Sequence, residues 1–150
     1  MDKSKFKHKT QIRVRNYEVD WQGIVHNATY LLFCEIGRVE YLKYLGIKVD
    51  LNTIKEANRV VLVRNEIDYK SPAYFDELLD IYTRIVKIKN TSFIFEAIIE
   101  ETSKNRLVCE NLAYHVWLSP QTAEPTRVSD EFRSIIRKFE GANVIIEEAL

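Results

Sequence analysis

The stretch from Ala28 to Leu45 constrains what this chain can fold into more than any other segment. It has no proline and a single glycine, Gly37, and it carries Leu31, Leu32, Phe33, Ile36, Val39, Leu42 and Leu45. On a helix these side chains leave few polar positions and cover most of the circumference instead of one stripe. Such a helix is enclosed by the rest of the fold, not laid on its surface. Gly46 stands where a helix commonly ends in a left-handed residue.

The remainder supplies the enclosure. Ile12-Arg-Val-Arg15 alternates apolar and charged residues, the period of a half-buried strand, and leads to the turn cluster Asp20-Trp-Gln-Gly23. Ile47–Asn58 reads as loop with a turn of helix at most. Strands are then expected at Val60–Tyr69, closed by Lys70-Ser-Pro72, and at Leu78–Lys89, Ser92–Glu101 and Arg106–Leu118. The connections at Asn90-Thr91 and Ser103-Lys-Asn105 are short, which makes the last three an antiparallel meander. Ser129 caps a helix spaced on Phe132, Ile135, Ile136 and Phe139, with Gly141 beyond its end. No element is assigned to 143–150. The expected architecture is one α+β domain over 1–150, an antiparallel five-stranded sheet wrapped around a long central helix.

Composition removes several function classes. The chain has 150 residues, the size of one domain, and its 22 lysines and arginines cancel its 22 aspartates and glutamates. No net field draws it to nucleic acid or to an anionic membrane. Apolar runs such as Val60–Val63 and Ala97–Ile99 are far below the ~18 residues that span a bilayer, so no membrane insertion is expected. The N-terminal MDKSKFKHKT lacks the apolar stretch of a secretory signal. Cys34 and Cys109 lie in apolar runs without a nearby cysteine, as reduced core thiols of a cytoplasmic protein do. His8, His26 and His115 are too scattered for a metal site, and no phosphate loop, dinucleotide fingerprint or nucleophile elbow occurs. Neither a metal nor a resident cofactor is expected.

Chemistry concentrates in Asp20-Trp-Gln-Gly-Ile-Val-His-Asn-Ala-Thr-Tyr30. A carboxylate at a strand end stands seven residues before Asn27, at the start of the buried helix. A helix start offers free backbone N–H groups and the positive end of the helix dipole, and an oxyanion forming there is stabilised. Asp20 can then serve as base or nucleophile on the polarised carbonyl. The same residues also suit a plain turn and helix cap.

The pattern Asp20-x-x-Gly23-Ile-Val25-x-Asn27-x-x-Tyr30, continued by Phe33-x-Glu35-x-Gly-Arg38-x-Glu40, resembles the hotdog-fold acyl-CoA thioesterases of the 4-hydroxybenzoyl-CoA thioesterase family. The similarity runs on through Tyr69-x-Ser-Pro72, the Asp76–Asp80 segment and the Lys89-x-Thr-Ser92-Phe hairpin, covering roughly residues 10–140. The resemblance implies that Asp20 is the catalytic carboxylate, that the backbone amide near Asn27 polarises the thioester carbonyl, and that Gly23 lets the turn pass close to the substrate. It also implies that coenzyme A enters only as part of the substrate. Bacterial members close to this pattern commonly have an aromatic residue and a histidine where His26 and Asn27 stand. The His26-Asn27 pair is similar to the Val-Asn-Asn element of plant acyl-ACP thioesterases, so the carrier is CoA or acyl carrier protein.

The other candidates follow from the same comparison. Glu35 is the reserve carboxylate, or pairs with Arg38 at i, i+3; His26 positions substrate or faces solvent. Tyr30 contacts substrate or packs at the helix start. Lys89, Asn90 and Ser92 lie where the family meets the CoA nucleotide, or form an ordinary hairpin tip. His115 reads as a satisfied core or interface histidine. The resemblance implies a homodimer with edge-to-edge sheets and a pairing of dimers into a homotetramer, which also covers an otherwise bare sheet edge.

Overall fold

In the computed structural model, which describes residues 1–48 and 59–148, the long helix forms as α1, Thr29–Tyr44. The strands are β1, His8–Arg13; β2, Arg59–Tyr69; β3, Leu78–Ile88; β4, Ser92–Glu101; and β5, Arg106–Leu118. They are ordered β1-β3-β4-β5-β2, with every neighbouring pair antiparallel. Helix α2, Asp130–Glu140, follows β5, and β6, Ile145–Ile146, adds two residues parallel to β3. This is the α+β hotdog architecture, with a short parallel strand beside the five expected ones. The loop expected up to Asn58 lies, from residue 49, outside the described residues.

Two differences from the sequence reading have a simple cause. β1 begins at His8, not Ile12, because its inward positions His8 and Thr10 are polar and hide the period of two. β6 is too short to show any period, and it exists only because β3 offers it an edge at Lys87 and Ile88.

α1 is enclosed on one side only. Tyr30, Phe33, Cys34, Gly37, Arg38 and Tyr41 are buried, at the spacing of a single helical face. Tyr30, Phe33 and Cys34 pack with Ile81 of β3, Ile99 of β4 and Cys109 of β5, while Tyr41 joins Ile85, Phe95 and, from α2, Phe132 and Ile136. The opposite face holds Leu32 at 57% and Ile36 at 40% exposure. The full circumference predicted to be buried is therefore half covered within one chain. Gly37 sits where α1 meets β3: a Cβ there would lie 2.6 Å from Thr83 Oγ1 and 2.7 Å from Ile81 Cγ2.

α2 is amphipathic and capped as expected, with Ser129 Oγ accepting from the Phe132 amide at 3.1 Å. The buried Arg133 donates to the carbonyls of Val128, Lys89, Asn90 and Glu147 at 2.6–3.1 Å. One guanidinium thus fastens the helix to the β3–β4 hairpin and to the strand end after β6. Cys34 and Cys109 are both free and fully buried.

Candidate active site

Residues 14–28 cross the mouth of the sheet as a small hairpin that leads into α1. Val19 bridges Val25, the Asp20 amide donates to the Ile24 carbonyl at 2.9 Å, and the His26 amide donates to the Glu18 carbonyl at 3.1 Å. The segment before β3 holds its outer side: the Val25 amide donates to the Ala73 carbonyl, the Phe75 amide donates to the Gly23 carbonyl, and Ile24 bridges Tyr74. Arg106 secures that segment by donating to both Glu77 carboxylate oxygens at 2.7 Å and to the Pro72 carbonyl.

Asp20 stands at the tip, half-buried. Its Oδ1 accepts from the Gln22 amide at 2.8 Å and from the Ile24 amide at 3.2 Å. The turn-cap role is therefore real, but it occupies one oxygen; Oδ2 has no protein partner among the described residues. A carboxylate fixed by two backbone amides cannot swing away from its position. Gly23 adopts φ +79°, and a Cβ there would meet nothing within 4 Å. The turn needs glycine for its backbone conformation, and no protein atom crowds it. Gly23→Ala puts a side chain in the left-handed region and should cost about 1–2 kcal/mol, read as a lowered midpoint in urea unfolding.

On the other side of the hairpin, α1 opens without a side-chain cap. The Thr29 amide donates to the His26 carbonyl and the Leu31 amide to the Ala28 carbonyl, whereas the amides of Asn27 and Ala28 have no acceptor among the described residues. Both residues are exposed. Tyr69, at the end of β2, donates its hydroxyl to the Asn27 carbonyl at 2.9 Å and so orients that peptide from the carbonyl side. A carboxylate and two free helix-start amides thus stand on one hairpin, as the spacing of Asp20 and Asn27 implied.

Other predicted residues fall elsewhere. Tyr30 is a core residue: it is 3% exposed, its hydroxyl accepts from the Ala73 amide at 3.0 Å, and its ring meets Tyr69 edge-on at 5.4 Å. His26 is exposed, with only its backbone engaged. Glu35 is exposed and makes no ion pair with the buried Arg38 among the described residues, contrary to the expected i, i+3 pair. His115 is buried but unsatisfied at Nδ1, and burial together with Arg38 lowers its pKa to about 4. Lys89, Asn90 and Ser92 lie at the far end of β3, 11 residues or about 33 Å from the segment that holds the Asp20 turn. One chain does not bring that hairpin to Asp20.

The sequence reading missed the aromatic surround. Trp21 is 91% exposed and Phe75 54%, with Tyr69 and Tyr74 also open to solvent, all on the segments that frame the turn. Exposed aromatics in a contiguous group mark a surface that something covers. Their signal is weak because they come from three separate stretches of chain.

The model of the thioesterase-like superfamily matches residues 14–136, from just after β1 to the middle of α2. The chain belongs to that superfamily. Among its relatives, the chloroplastic acyl-acyl carrier protein thioesterase ATL2 of Arabidopsis thaliana is 27% identical over 138 residues, 92% of this chain and 72% of ATL2. The acyl-CoA thioester hydrolase YbgC of Escherichia coli O6:H1 is 27% identical over 128 residues, 85% of this chain and 92% of YbgC. A solved structure of a probable thioesterase from Bartonella henselae superposes with a TM-score of 0.73 at 28% identity, covering 81% of this chain and 98% of the other. The superfamily's span encloses the Asp20 turn, α1 and strands β2 to β5.

Proposed function

We propose that this hotdog thioester hydrolase cleaves an acyl-CoA into free acid and CoA, with Asp20 as the working carboxylate. One observation carries the assignment: Asp20 is held rigidly through Oδ1 with Oδ2 left over, on the same hairpin as the unpaired amides of Asn27 and Ala28. In one course, Asp20 takes a proton from water as the water oxygen attacks the carbonyl carbon. The tetrahedral intermediate then collapses, the C–S bond breaks, and Asp20 returns the proton to the departing thiolate. In the other, Asp20 itself attacks, the C–S bond breaks, and water then hydrolyses the mixed anhydride. In both, charge gathers on the carbonyl oxygen at the start of α1, where two amides and the helix dipole stabilise it. A single turnover in ¹⁸O-water separates them, since opening of the anhydride at the Asp20 carbonyl leaves label in that carboxylate and the water course leaves none.

The carrier is assigned as CoA because YbgC, named for acyl-CoA, is matched over 92% of its own length against 72% for ATL2. The acyl group is fatty or aromatic. An assay of thiol release over a panel of acyl-CoAs and acyl carrier protein thioesters tests both points; release from at least one CoA thioester at enzymatic rates is expected. No helix among the described residues is long and apolar enough to cross a membrane, and the two buried free thiols suit the cytoplasm.

The working form is at least a homodimer. β2 is a sheet edge whose consecutive residues Val60 to Val63 are 37–59% exposed, so neither face of its first half is covered. A bare apolar edge invites pairing, and C2 pairing of β2 with its copy closes it. Antiparallel pairing also sets the Arg59 end of one β2, which lies by the Lys89–Ser92 hairpin, near the Tyr69 end of the other, which touches Asn27. The CoA-binding part suggested for Lys89, Asn90 and Ser92 is then played toward the neighbouring subunit's site. Leu32 and Ile36 of α1 give a second apolar stripe, available to a pairing of dimers. Light scattering at micromolar concentration should return a dimer or larger; a monomer overturns this arrangement.

A further inference from the structure

Between α1, β2, β5 and α2 lies a cleft of about 1130 Å³ that includes neither Asp20 nor Asn27. Its wall is aromatic. His115 stacks on Phe93 with ring centroids 5.4 Å apart and planes at 11°, Phe95 meets His115 edge-on at 5.4 Å, and Trp117 meets Phe93 at 6.2 Å.

Three polar side chains are set into that wall without protein partners among the described residues. Arg38 is 8% exposed and has neither an ion pair nor a hydrogen bond. His115, also 8% exposed, leaves Nδ1 unpaired, and Trp117, 9% exposed, leaves Nε1 unpaired. The Arg38 nitrogens are not sealed off but open to the cleft, where they offer an unpaired positive charge to whatever enters it. The remaining charged residues of the cleft, Glu35, Lys48, Arg59 and Glu131, are exposed at its rim and balance two against two. Burial and the nearby Arg38 keep His115 neutral down to about pH 4, so Arg38 holds the one inner charge.

We infer that this cleft binds a carboxylate carried on an apolar chain or ring, with Arg38 as its counterion and the rings of Phe93, Phe95, His115 and Trp117 as its apolar wall. A methyl end would leave the guanidinium uncompensated, and a hydroxyl would supply a dipole where a charge is needed. Arg38 lies ten residues along α1 from Ala28, about 15 Å from the helix start. A carboxylate there is thus remote from the thioester itself. It belongs either to the far end of a dicarboxylic acyl group or to a free long-chain acid; the first source rests on the thioesterase reading, the second does not.

Calorimetric titration of the wild-type protein with octanoate and with 1-octanol tests the site without any turnover. Octanoate should bind at least about tenfold more tightly, and Arg38→Met should erase the difference while circular dichroism shows an intact fold. If Arg38→Met fails to fold, Arg38→Gln serves instead and should remove the preference for octanoate in the same way. Equal binding of acid and alcohol by the wild type overturns the inference. Rates on CoA thioesters of equal length ending in carboxylate or methyl then identify the source. A higher kcat/KM for the carboxylate end that Arg38→Met abolishes assigns the cleft to the acyl group. Equal rates with octanoate still bound assign it to a free acid. Octanoate binding with no hydrolysis of any thioester sinks the thioesterase reading and leaves the site standing.

Discussion

Asp20→Asn should fold like the parent and lose about 10²- to 10⁴-fold in turnover, the range for removing a positioned general base, and more if the carboxylate is the nucleophile. The substitution separates the cap role that the structure shows from the catalytic role proposed for this residue. An asparagine Oδ1 can still accept from the Gln22 and Ile24 amides, so the turn is kept. What disappears is the negative charge at the position of Oδ2. Thermal midpoints within a degree or two of the parent, together with the rate loss, identify a catalytic group and not a cap. Near-parental turnover on the best acyl-CoA would dispose of the assignment. Glu35→Gln, run beside it, should leave the rate unchanged, because Glu35 is exposed one turn and more beyond the free amides at the start of α1. Loss at Glu35 with none at Asp20 would move the chemistry onto the helix.

The largest effect on stability is expected at Gly37. Alanine is the better helix former by about 1 kcal/mol, so on propensity alone Gly37→Ala stabilises. The added methyl, however, would stand 2.6 Å from Thr83 Oγ1 and 2.7 Å from Ile81 Cγ2, both fully buried and β-branched, with little freedom to turn aside. Overpacking of this kind costs about 1–3 kcal/mol, which outweighs the propensity gain. A net loss of about 1–2 kcal/mol is expected for Gly37→Ala, a fall of several degrees in thermal midpoint for a chain of this size. Gly37→Leu should leave no soluble folded protein. An alanine variant as stable as the parent would show that α1 can lift off β3 at little cost.

Much of the fold was legible because each element carries its own local signal. Ser92–Glu101 and Arg106–Leu118 were read to the residue: their alternation is strong and short turns bound them. Ser129 announced α2 through its cap, and the apolar run announced α1. β1 was placed four residues late because polar inward residues erase the period. The Asp20 turn was legible too, since an aspartate, a glycine obliged to positive φ, and a helix start follow one another within a few residues. Tyr69, the clamp on Asn27, was not, because it reaches that carbonyl across 42 residues.

What the sequence determined by itself is what its local chemistry dictates: the strands, the two helices, the Asp20 turn and the need to enclose α1. Tertiary structure alone decided which half of α1 the sheet would cover, since an all-round apolar helix has no preferred face until β3 approaches at Gly37. It also decided that Arg38 would be buried beside His115 while Glu35, three residues earlier, turned to solvent. A pairing rule along the helix treats these two as neighbours, but the packing of β4, β5 and α2 against one side of α1 divides them. Likewise it set the Lys89–Ser92 hairpin at the far end of β3 from Asp20, because strand length and antiparallel order, not distance along the chain, fix how far apart two ends of a sheet lie.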